Sequence, residues 1–406
     1  MVRGTTTVRP DFFTGTGRGA ENVMRDLVIK PVETRRERQQ FLELPWNLYR
    51  HDSLWIPPLR QNQRELVGYR RHPFYDDADV QTFLAFVDGV PCGRIAAIDN
   101  RAHCRKYNDG VGFVGFFESI DDAAVADGLF QASWMWLSQR GLQIMRGPAN
   151  PSLNYECGLL VEGFHSSPTF MMTYNPPYYA RLWEQFGFAK VQDMFAFRGD
   201  TSMLSQLNKK LAFIVEESVR RFKLRIRPLS RSRFLADVAM FLDIYNKSLE
   251  GTWGFVPLSP SEAAHSGRAL RHLLVPELTV IGEAEGREVG AVFGMLDYNP
   301  RIKRMDGRLF PLGFLQLWTN RRAIHRVRLI STNVLPEFQK WGLGLAMMGK
   351  MLPKAIAFGV TEAEFSWVLE SNHLSRSTLE KGGAVRDKTY RMYDYSGTLE
   401  PRFKVS

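Results

Sequence analysis

Cysteine is scarce in this chain, whose 406 residues include only Cys92, Cys104 and Cys157. Their number is odd and their spacing is not that of a metal site, so we expect neither a disulfide framework nor a bound metal. Free thiols are usual in a reducing compartment, which predicts a cytoplasmic protein. No stretch approaches the roughly 18 consecutive apolar residues of a membrane-spanning helix, so no such helix is predicted.

Acidic residues are fewer than basic ones. The chain has 43 aspartates and glutamates and 53 lysines and arginines, which gives a net charge of +10. The excess predicts attraction to an anion, which nucleic acid, an anionic membrane surface or coenzyme A would supply. No recognised RNA or DNA motif is present, which disfavours nucleic acid. A hydrophobic content of 44% is ordinary for a globular chain, and the length suits two or three domains, of which we expect two.

One stretch, residues 334–348 (VLPEFQKWGLGLAMM), has a spacing of residue types that implies a specific chemical role. A β-branched strand is predicted over residues 326–332 and a helix over residues 343–358. The turn between them contains Gly342 and Gly344, where bare backbone N–H groups and the helix dipole favour an anion. The stretch therefore predicts a pyrophosphate site.

The pattern Val-x-Pro-Glu-aromatic-Gln-x-x-Gly-x-Gly-x-Ala resembles the coenzyme A pyrophosphate loop of GNAT acyltransferases. It differs from the Walker loop GxxxxGK[ST] and from the dinucleotide fingerprint GxGxxG. A glycine-containing helix start without a ligand is the alternative for a lone GxG. The resemblance implies acyl-CoA as co-substrate and these cofactor-binding residues: Val334, Leu335, Gln339, Lys340, Trp341, Gly342, Leu343, Gly344 and Asn372.

Two similar β-hairpins lie far apart in the sequence. Residues 83–100 turn at Asp88-Gly89 and residues 278–297 turn at Glu285-Gly286, each between apolar arms. Each hairpin is followed by a strand, a helix, a second strand and a last helix with a glycine turn. This order predicts an internal duplication of one mixed α/β unit.

The two copies differ at the predicted anion site. Where the second copy has QKWGLG, the first has residues 118–122 (ESIDD), without a glycine pair. Asp121 and Asp122 would satisfy a helix N-terminus and repel a pyrophosphate, so coenzyme A is expected in the second copy only. The predicted organisation is a flexible arm (1–27), an N-terminal GNAT-like domain with a degenerate site (28–200), a linker helix (201–224) and a C-terminal GNAT domain (225–406).

Residues 28–396 are similar to a bacterial family of tandem GNAT-like proteins that includes bacterial ceramide synthase. The segments that carry the likeness include PWNLYRHDSLWIPPL, RGPANPSLNYECGLLVEGF, MMTYNPPYYARLWEQFGF and VLPEFQKWGLG. The resemblance implies an α/β fold with a mixed sheet and an N-acyltransferase that moves an acyl group from coenzyme A to an amine. It also implies a long-chain acyl group and a sphingoid base as substrates.

The sequence departs from the general GNAT pattern in the last helix. Many members have a tyrosine there that protonates the leaving thiolate, but Leu379 stands at the matching place. Glu370, at a strand end, is a candidate to take a proton from the amine, with an exposed structural carboxylate as the alternative. Tyr390 is a second catalytic candidate, because Tyr390, Tyr393 and Tyr395 alternate along the last strand. Packing is the alternative role for these tyrosines.

Residues 150–158 (NPSLNYECG) are polar for a segment that follows a strand. Its asparagines would bind an acceptor or close a loop, and loop closure is the commoner role. Cys157 has no histidine partner in the segment, so we expect a structural thiol.

Residues 299–328 interrupt the repeat with an apolar centre, FPLGFLQLW, flanked by arginine and lysine. Such a segment suits the surface of an anionic membrane or the mouth of a site for a long acyl chain. An element at a domain interface is the alternative. If it binds lipid, the protein would be peripheral on the inner membrane.

Two classes of function follow from these features. The first is the acyl-CoA-dependent N-acyltransferase. If its acceptor is not a sphingoid base, the alternative acceptor is a small molecule or a protein. The second is a non-catalytic GNAT-fold module that binds a partner through its positive charge. The oligomeric state stays open.

Overall fold

The computed structural model describes residues 26–200, here called the first half, and residues 209–397, the second half. The predicted arm lies almost wholly outside these residues, as do residues 201–208 of the predicted linker. The first half contains β1 (Leu27–Pro31), α1 (Arg35–Leu48), α2 (Arg60–Leu66), β2 (Ala78–Val87), β3 (Val90–Asn100), α3 (Arg101–Tyr107), β4 (Val111–Ser119), α4 (Ala123–Ser138), β5 (Ile144–Gly147), β6 (Ala149–Asn150), β7 (Glu156–Cys157), β8 (Leu159–Glu162), α5 (Tyr178–Phe186) and β9 (Ala189–Asp200).

The second half repeats this order with insertions. It contains α6 (Lys209–Arg221), β10 (Arg225–Pro228), α7 (Phe234–Ser248), α8 (Pro260–Leu270), β11 (Thr279–Ala284), β12 (Arg287–Leu296), α9 (Asn299–Arg304), α10 (Gly313–Trp318), β13 (Arg326–Val334), α11 (Leu343–Phe358), β14 (Glu362–Leu369), α12 (His373–Lys381) and β15 (Val385–Tyr395). Helix α6 lies within the predicted linker.

Both predicted hairpins are confirmed. Strands β2 and β3 pair antiparallel through Asp88-Gly89, and β11 and β12 pair through Glu285-Gly286. All four turn residues have positive φ, between 50° and 77°, which the right-handed twist of a two-residue hairpin requires.

The last strand of each half completes the sheet of the other half. The strands run in the order β1-β2-β3-β4-β5-β15-β9-β14-β13-β12-β11-β10. Strand β9 pairs antiparallel with β14, and β15 pairs antiparallel with both β5 and β9. The strands of the two halves thus share one continuous mixed sheet, which β8 joins by pairing with β15, whereas β6 and β7 form a separate two-stranded sheet. Neither half has a complete main sheet of its own.

Helices cover both faces of this sheet. In the second half a Cβ at Gly290 would meet Met347 of α11, whereas the ring of Phe293 contacts Phe241 of α7. Because successive strand residues point to opposite faces, α11 and α7 lie on opposite sides of β12. In the first half α4 packs on β1, β2 and β3, while α1 covers the other side. The α7 side holds the space described below.

Candidate functional site

The predicted anion loop is a tight connection between β13 and α11. After β13 the chain forms a 3-10 turn over Pro336–Trp341, and Gly342 then adopts the left-handed conformation (φ 74°, ψ 13°) at the N-terminus of α11. No side chain caps α11 in the described residues. The first N–H groups of this 16-residue helix therefore remain available to a ligand.

Gln339 braces this loop from inside. Its Nε2 donates to the carbonyl oxygens of Ser248 and Val334, both at 3.1 Å. Because the amide group is used in these bonds, it fixes the loop against α7. Val334, Leu335 and Leu343 are buried and anchor the two ends of the loop in the core.

Basic and aromatic groups lie on the outer side of the loop. Lys340 is exposed, and Trp341 is 40% exposed, with the guanidinium of Arg221 at 4.1 Å from its ring centre. The hydroxyl of Ser218 in α6 donates to the carbonyl of Trp341. Lys340 and Arg221 thus add positive charge beside the free end of α11.

Gly344 permits close contact between α11 and β13. A Cβ at this position would lie 2.8 Å from Cγ2 of Thr332 and 3.6 Å from Cγ2 of Val334. The missing side chain therefore points at the strand. Glycine is needed here because the helix start is pressed against β13.

Strands β13 and β14 form a cleft beside this loop. They pair in parallel only between Arg326 and Leu329 on β13 and between Glu362 and Phe365 on β14. The pairing of β12 with β13 shifts register at the same level, so that Ile330 is left outside the ladder. Beyond Leu329 the edge of β13 that faces β14 has no strand partner in the described residues. Its backbone groups are available to an extended ligand.

The matching cleft of the first half is filled by the chain itself. The Oδ1 of Asn150 accepts a hydrogen bond from the N–H of Phe116 at 2.6 Å. A Cβ at Gly115 would lie 1.8 Å from the carbonyl oxygen of Ala149, so that the segment lies directly against β4. The carboxylate of Asp122 also caps α4 by accepting from the N–H of Ala124 at 2.9 Å.

A cavity of about 570 Å³ lies between the two halves. Its wall is mainly apolar, with side chains from α7, α8 and residues 55–59. It reaches Ile330 and Ser331 at the β13 cleft and Phe116 and Phe117 at the first half's cleft. The polar and charged residues on its wall include Gln63, Glu65, His72, Arg94, Glu118, Asn150, Glu156, Tyr179 and His265.

Glu118 is the centre of a buried cluster on this wall. Its Oε2 accepts from the hydroxyls of Tyr49 at 2.7 Å and Tyr179 at 2.8 Å, and Arg94 lies 3.5 Å from Oε1. Burial raises the pKa of Glu118, while Arg94 and the two hydroxyls act in the opposite direction. The cluster was not predicted, although a lone carboxylate in the apolar strand VGFFES was a signal for it.

Two histidines, one from each half, are in contact at another part of the cavity wall. The rings of His72 and His265 are 4.6 Å apart, and Nε2 of His265 lies 3.3 Å from a carboxylate oxygen of Glu65. Nδ1 of His72 accepts from the N–H of Phe74, and burial lowers the pKa of His72 to about 4. His72 is therefore neutral near pH 7.

The residues predicted to be catalytic do not line this cavity. Glu370 is on the surface, where its carboxylate lies 2.9 Å from Nζ of Lys190. Asn372 caps α12 by accepting from the N–H of Ser375 at 3.1 Å. Tyr390 is fully buried in the core, where burial raises its pKa and its hydroxyl has no hydrogen-bond partner in the described residues. The roles predicted for these residues remain predictions.

The polar segment 150–158 closes a loop through its asparagines. Nδ2 of Asn154 donates to the carbonyl of Val256 at 2.7 Å, while Asn150 holds Phe116 as described above. The thiol of Cys157 is buried, and burial raises its pKa to about 12. The structural role expected for Cys157 agrees with this placement.

The duplicated α/β order, the β13 cleft and the free start of α11 define a tandem GNAT-fold acyltransferase. The solved tandem GNAT protein from the clavulanic acid biosynthesis pathway has the same fold, with a TM-score of 0.51 at 10% identity, over 92% of this chain and 100% of that one. GNAT-fold acyltransferases use acyl-CoA as co-substrate. No protein-family model matches the sequence.

Comparison with curated proteins identifies the family. The chain is 32% identical over 387 residues to bacterial ceramide synthase of Caulobacter vibrioides, covering 91% of this chain and 97% of that protein. It is 30% identical over 376 residues to protein YghO of Escherichia coli, covering 90% and 95%. The chain belongs to the tandem GNAT-fold acyltransferase family that includes bacterial ceramide synthase. Within residues 26–200 and 209–397, no helix has the length and apolar character needed to cross a bilayer.

Proposed function

We propose that this protein transfers a long-chain acyl group from coenzyme A to a lipid amine of the sphingoid-base type. The observation that carries this proposal is the largely apolar cavity of about 570 Å³ between the halves, which opens to the β13 cleft. Its volume is in the range of sites for drug-sized ligands, and an acetyl group would leave most of it empty. The name of the ceramide synthase relative supports a lipid acceptor.

The energetics favour a long chain in such a cavity. Each buried CH₂ contributes about 0.8 kcal/mol, so a chain with about ten more methylenes than acetyl gains several kcal/mol even when burial is incomplete. Every 1.4 kcal/mol is roughly a tenfold change in affinity. A preference for long-chain donors is therefore expected to be large.

The second half fits the donor. The uncapped first turn of α11 after Gly342, with Lys340 and Arg221 beside it, offers N–H groups and positive charge to a pyrophosphate. When bound, coenzyme A supplies the acyl thioester. The chain's own contribution is to hold that group in the β13 cleft and to exclude water from it. The filled cleft of the first half supports binding in the second half only.

We further propose that residues 310–318 attach the protein to an anionic membrane surface. Phe310 is 72% exposed, Leu312 66%, and Leu315 and Trp318 43% each. Exposed Arg304, Arg308 and Arg322 lie in the flanking sequence, a composition suited to an anionic lipid surface.

The same insertion, residues 299–328, also contacts the first half. This agrees with the alternative that it is an element at a domain interface. Its Asp306 accepts a hydrogen bond from Nε1 of Trp46 at 2.6 Å and lies 2.8 Å from the guanidinium of Arg60. Leu309, next to Phe310, lines the cavity. A lipid could therefore pass from the membrane surface to the cavity along this element.

The test compares acetyl-CoA with palmitoyl-CoA as donors and sphinganine with a soluble amine as acceptors. We expect faster acylation of sphinganine, faster reaction with palmitoyl-CoA, and binding to anionic vesicles that weakens as salt is raised. If the protein acetylates the soluble amine faster and ignores vesicles at low salt, it is a small-molecule N-acetyltransferase.

A further inference from the structure

Three carboxylates in the described part of the chain line the cavity, and they differ in their hydrogen bonds. Glu118 is bound by Tyr49 and Tyr179, and Glu65 is paired with His265. The carboxylate of Glu156 receives no hydrogen bond from any side chain or backbone group that the structure describes, although its backbone pairs with β6. It is the carboxylate whose oxygens remain available to a ligand.

The backbone holds Glu156 in place. Strand β7 pairs antiparallel with β6, with Asn150 opposite Glu156, and Asn150 is itself fixed to β4 through Phe116. This short hairpin has a further backbone hydrogen bond, from the N–H of Gly158 to the carbonyl of Pro148 at 2.9 Å. The carboxylate is thus presented to the cavity from a fixed support.

The charged surroundings leave Glu156 able to bind and release a proton near neutral pH. Burial raises the pKa of Glu156 to about 7, and the positive charge of Arg328 on β13 limits the rise. Arg328 does not bind Glu156, because its guanidinium donates to Ser366 and to the carbonyls of Phe170 and Met171. The other titratable groups near Arg328 are Cys157, Glu364 and Tyr390.

The same cavity reaches the part of β13 where the donor cleft opens, at Ile330 and Ser331. Glu156 comes from the first half, whereas the cleft belongs to the second. A base in one half would therefore act on a donor held by the other. This gives the first copy a chemical role although its own cleft is filled.

We infer that Glu156 is the general base that takes the proton from the acceptor amine. The inference rests on the proposed N-acyltransferase function. In the step, the neutral amine nitrogen attacks the thioester carbonyl carbon, the C–N bond forms and the C–S bond breaks. The carboxylate of Glu156 accepts the N–H proton, and the leaving thiolate is protonated by Glu156 or by water. One amide and one thiol result from one amine and one thioester.

The test is Glu156→Gln in the full chain, with palmitoyl-CoA and sphinganine as substrates. We expect kcat to fall about 100-fold or more, with coenzyme A affinity by calorimetry nearly unchanged. The wild-type kcat is expected to rise with pH and to level off above about pH 7, since the base must be ionised. Glu156→Asp should keep part of the activity, while Glu277→Gln, an exposed carboxylate outside the cavity, should match wild type.

Stability gives an independent readout. Because burial raises the pKa of Glu156 from 4.5 to about 7, stability falls as the pH rises between these two values, and the loss is complete above about pH 7. Glu156→Gln is therefore expected to melt no earlier than wild type at pH 8. A folded, inactive variant fits a base, whereas a variant that loses activity through unfolding contradicts this assignment.

Two rivals are tested in the same series. If His265→Gln or Glu370→Gln abolishes transfer while Glu156→Gln turns over like wild type, the base is His265 or Glu370 and the inference is wrong. If the wild-type chain transfers no acyl group to any amine, the proposed function itself fails and this assignment fails with it. Transfer by wild type with an undiminished Glu156→Gln overturns only the inference.

Discussion

The side-chain oxygen of Asn150 accepts a hydrogen bond from the backbone N–H of Phe116 at 2.6 Å, in the cleft of the first half. At the matching level of the second half, beyond Leu329, the edge of β13 that faces β14 has no strand partner in the described residues. The first half thus satisfies a backbone hydrogen-bond donor with its own side chain, whereas the second half leaves the matching strand edge available to a ligand. The first prediction follows from this difference.

We expect one coenzyme A per chain. The first half stays closed even in Asn150→Ala, because the backbone of Ala149 still lies against Gly115. The variant leaves the N–H of Phe116 unpaired, which should lower the free energy of unfolding by about 1–3 kcal/mol. Calorimetric stoichiometry and urea unfolding measure the two effects. Two equivalents bound to either protein would contradict the prediction.

Gly344→Val is expected to weaken coenzyme A binding by about tenfold or more. The new side chain meets Thr332 at a Cβ distance of 2.8 Å and displaces the start of α11, so that the N–H groups lose their alignment. The matched control is Gly349→Val in the same helix, where a Cβ has no neighbour within 4 Å. Calorimetry with coenzyme A compares the two. Equal affinities would show that the helix start does not bind the phosphates.

The triple variant Phe310→Ser, Leu315→Ser, Trp318→Ser is expected to reduce both vesicle binding and the preference for long-chain donors. These side chains are exposed, and Phe310 directly follows Leu309, which lines the cavity. The affinity for acetyl-CoA should be spared, since the loop at Gly342 is unchanged.

A second triple variant serves as its control: Leu235→Ser, Ile356→Ser and Val385→Ser remove exposed apolar side chains elsewhere. Vesicle co-sedimentation at low and high salt and competition between acyl-CoA donors are the measurements. If both triple variants lose vesicle binding equally, the insertion has no special role at the membrane.

Arg328→Lys should destabilise the fold by about 3 kcal/mol. Arg328 is 2% exposed. Its planar guanidinium donates hydrogen bonds to Ser366 of β14 and to the carbonyls of residues 170–171 in the first half. The single ammonium group of lysine does not reproduce this set of hydrogen bonds. Arg326→Lys, two residues away, disturbs only a half-exposed pair with Glu362 and should cost less than about 1 kcal/mol. Urea unfolding at pH 7 compares them. Similar losses in the two variants would contradict a structural role for Arg328 between the halves.

Local chemistry allowed the hairpins and the anion loop to be predicted. The turns at Asp88-Gly89 and Glu285-Gly286 depend on residues that accept positive φ. The loop at Gly342 depends on a strand, a glycine and a helix that are consecutive in the chain. The close packing at Gly344 was not predicted, because its missing Cβ points at Thr332 of β13.

The candidate base could not be predicted, because its neighbours are distant in sequence. Glu118 follows an apolar strand and Glu156 lies in a polar segment, and nothing local to either shows that they share a cavity with Ile330. Tyr390 belongs to the last strand of the second half, yet that strand pairs with β5 and β9 of the first. Its burial is a result of this pairing.

The amino-acid sequence by itself determined the repeated α/β order, the family and the unequal loops, because each depends on residues close together along the chain. Only the tertiary structure decided that β9 and β15 complete the sheet of the opposite half. Strand pairing is a contact between distant segments, and hydrophobic pattern alone does not select the partner. That exchange joins the halves, and the cavity between them is lined both by Glu156 of the first half and by Ile330 of the second.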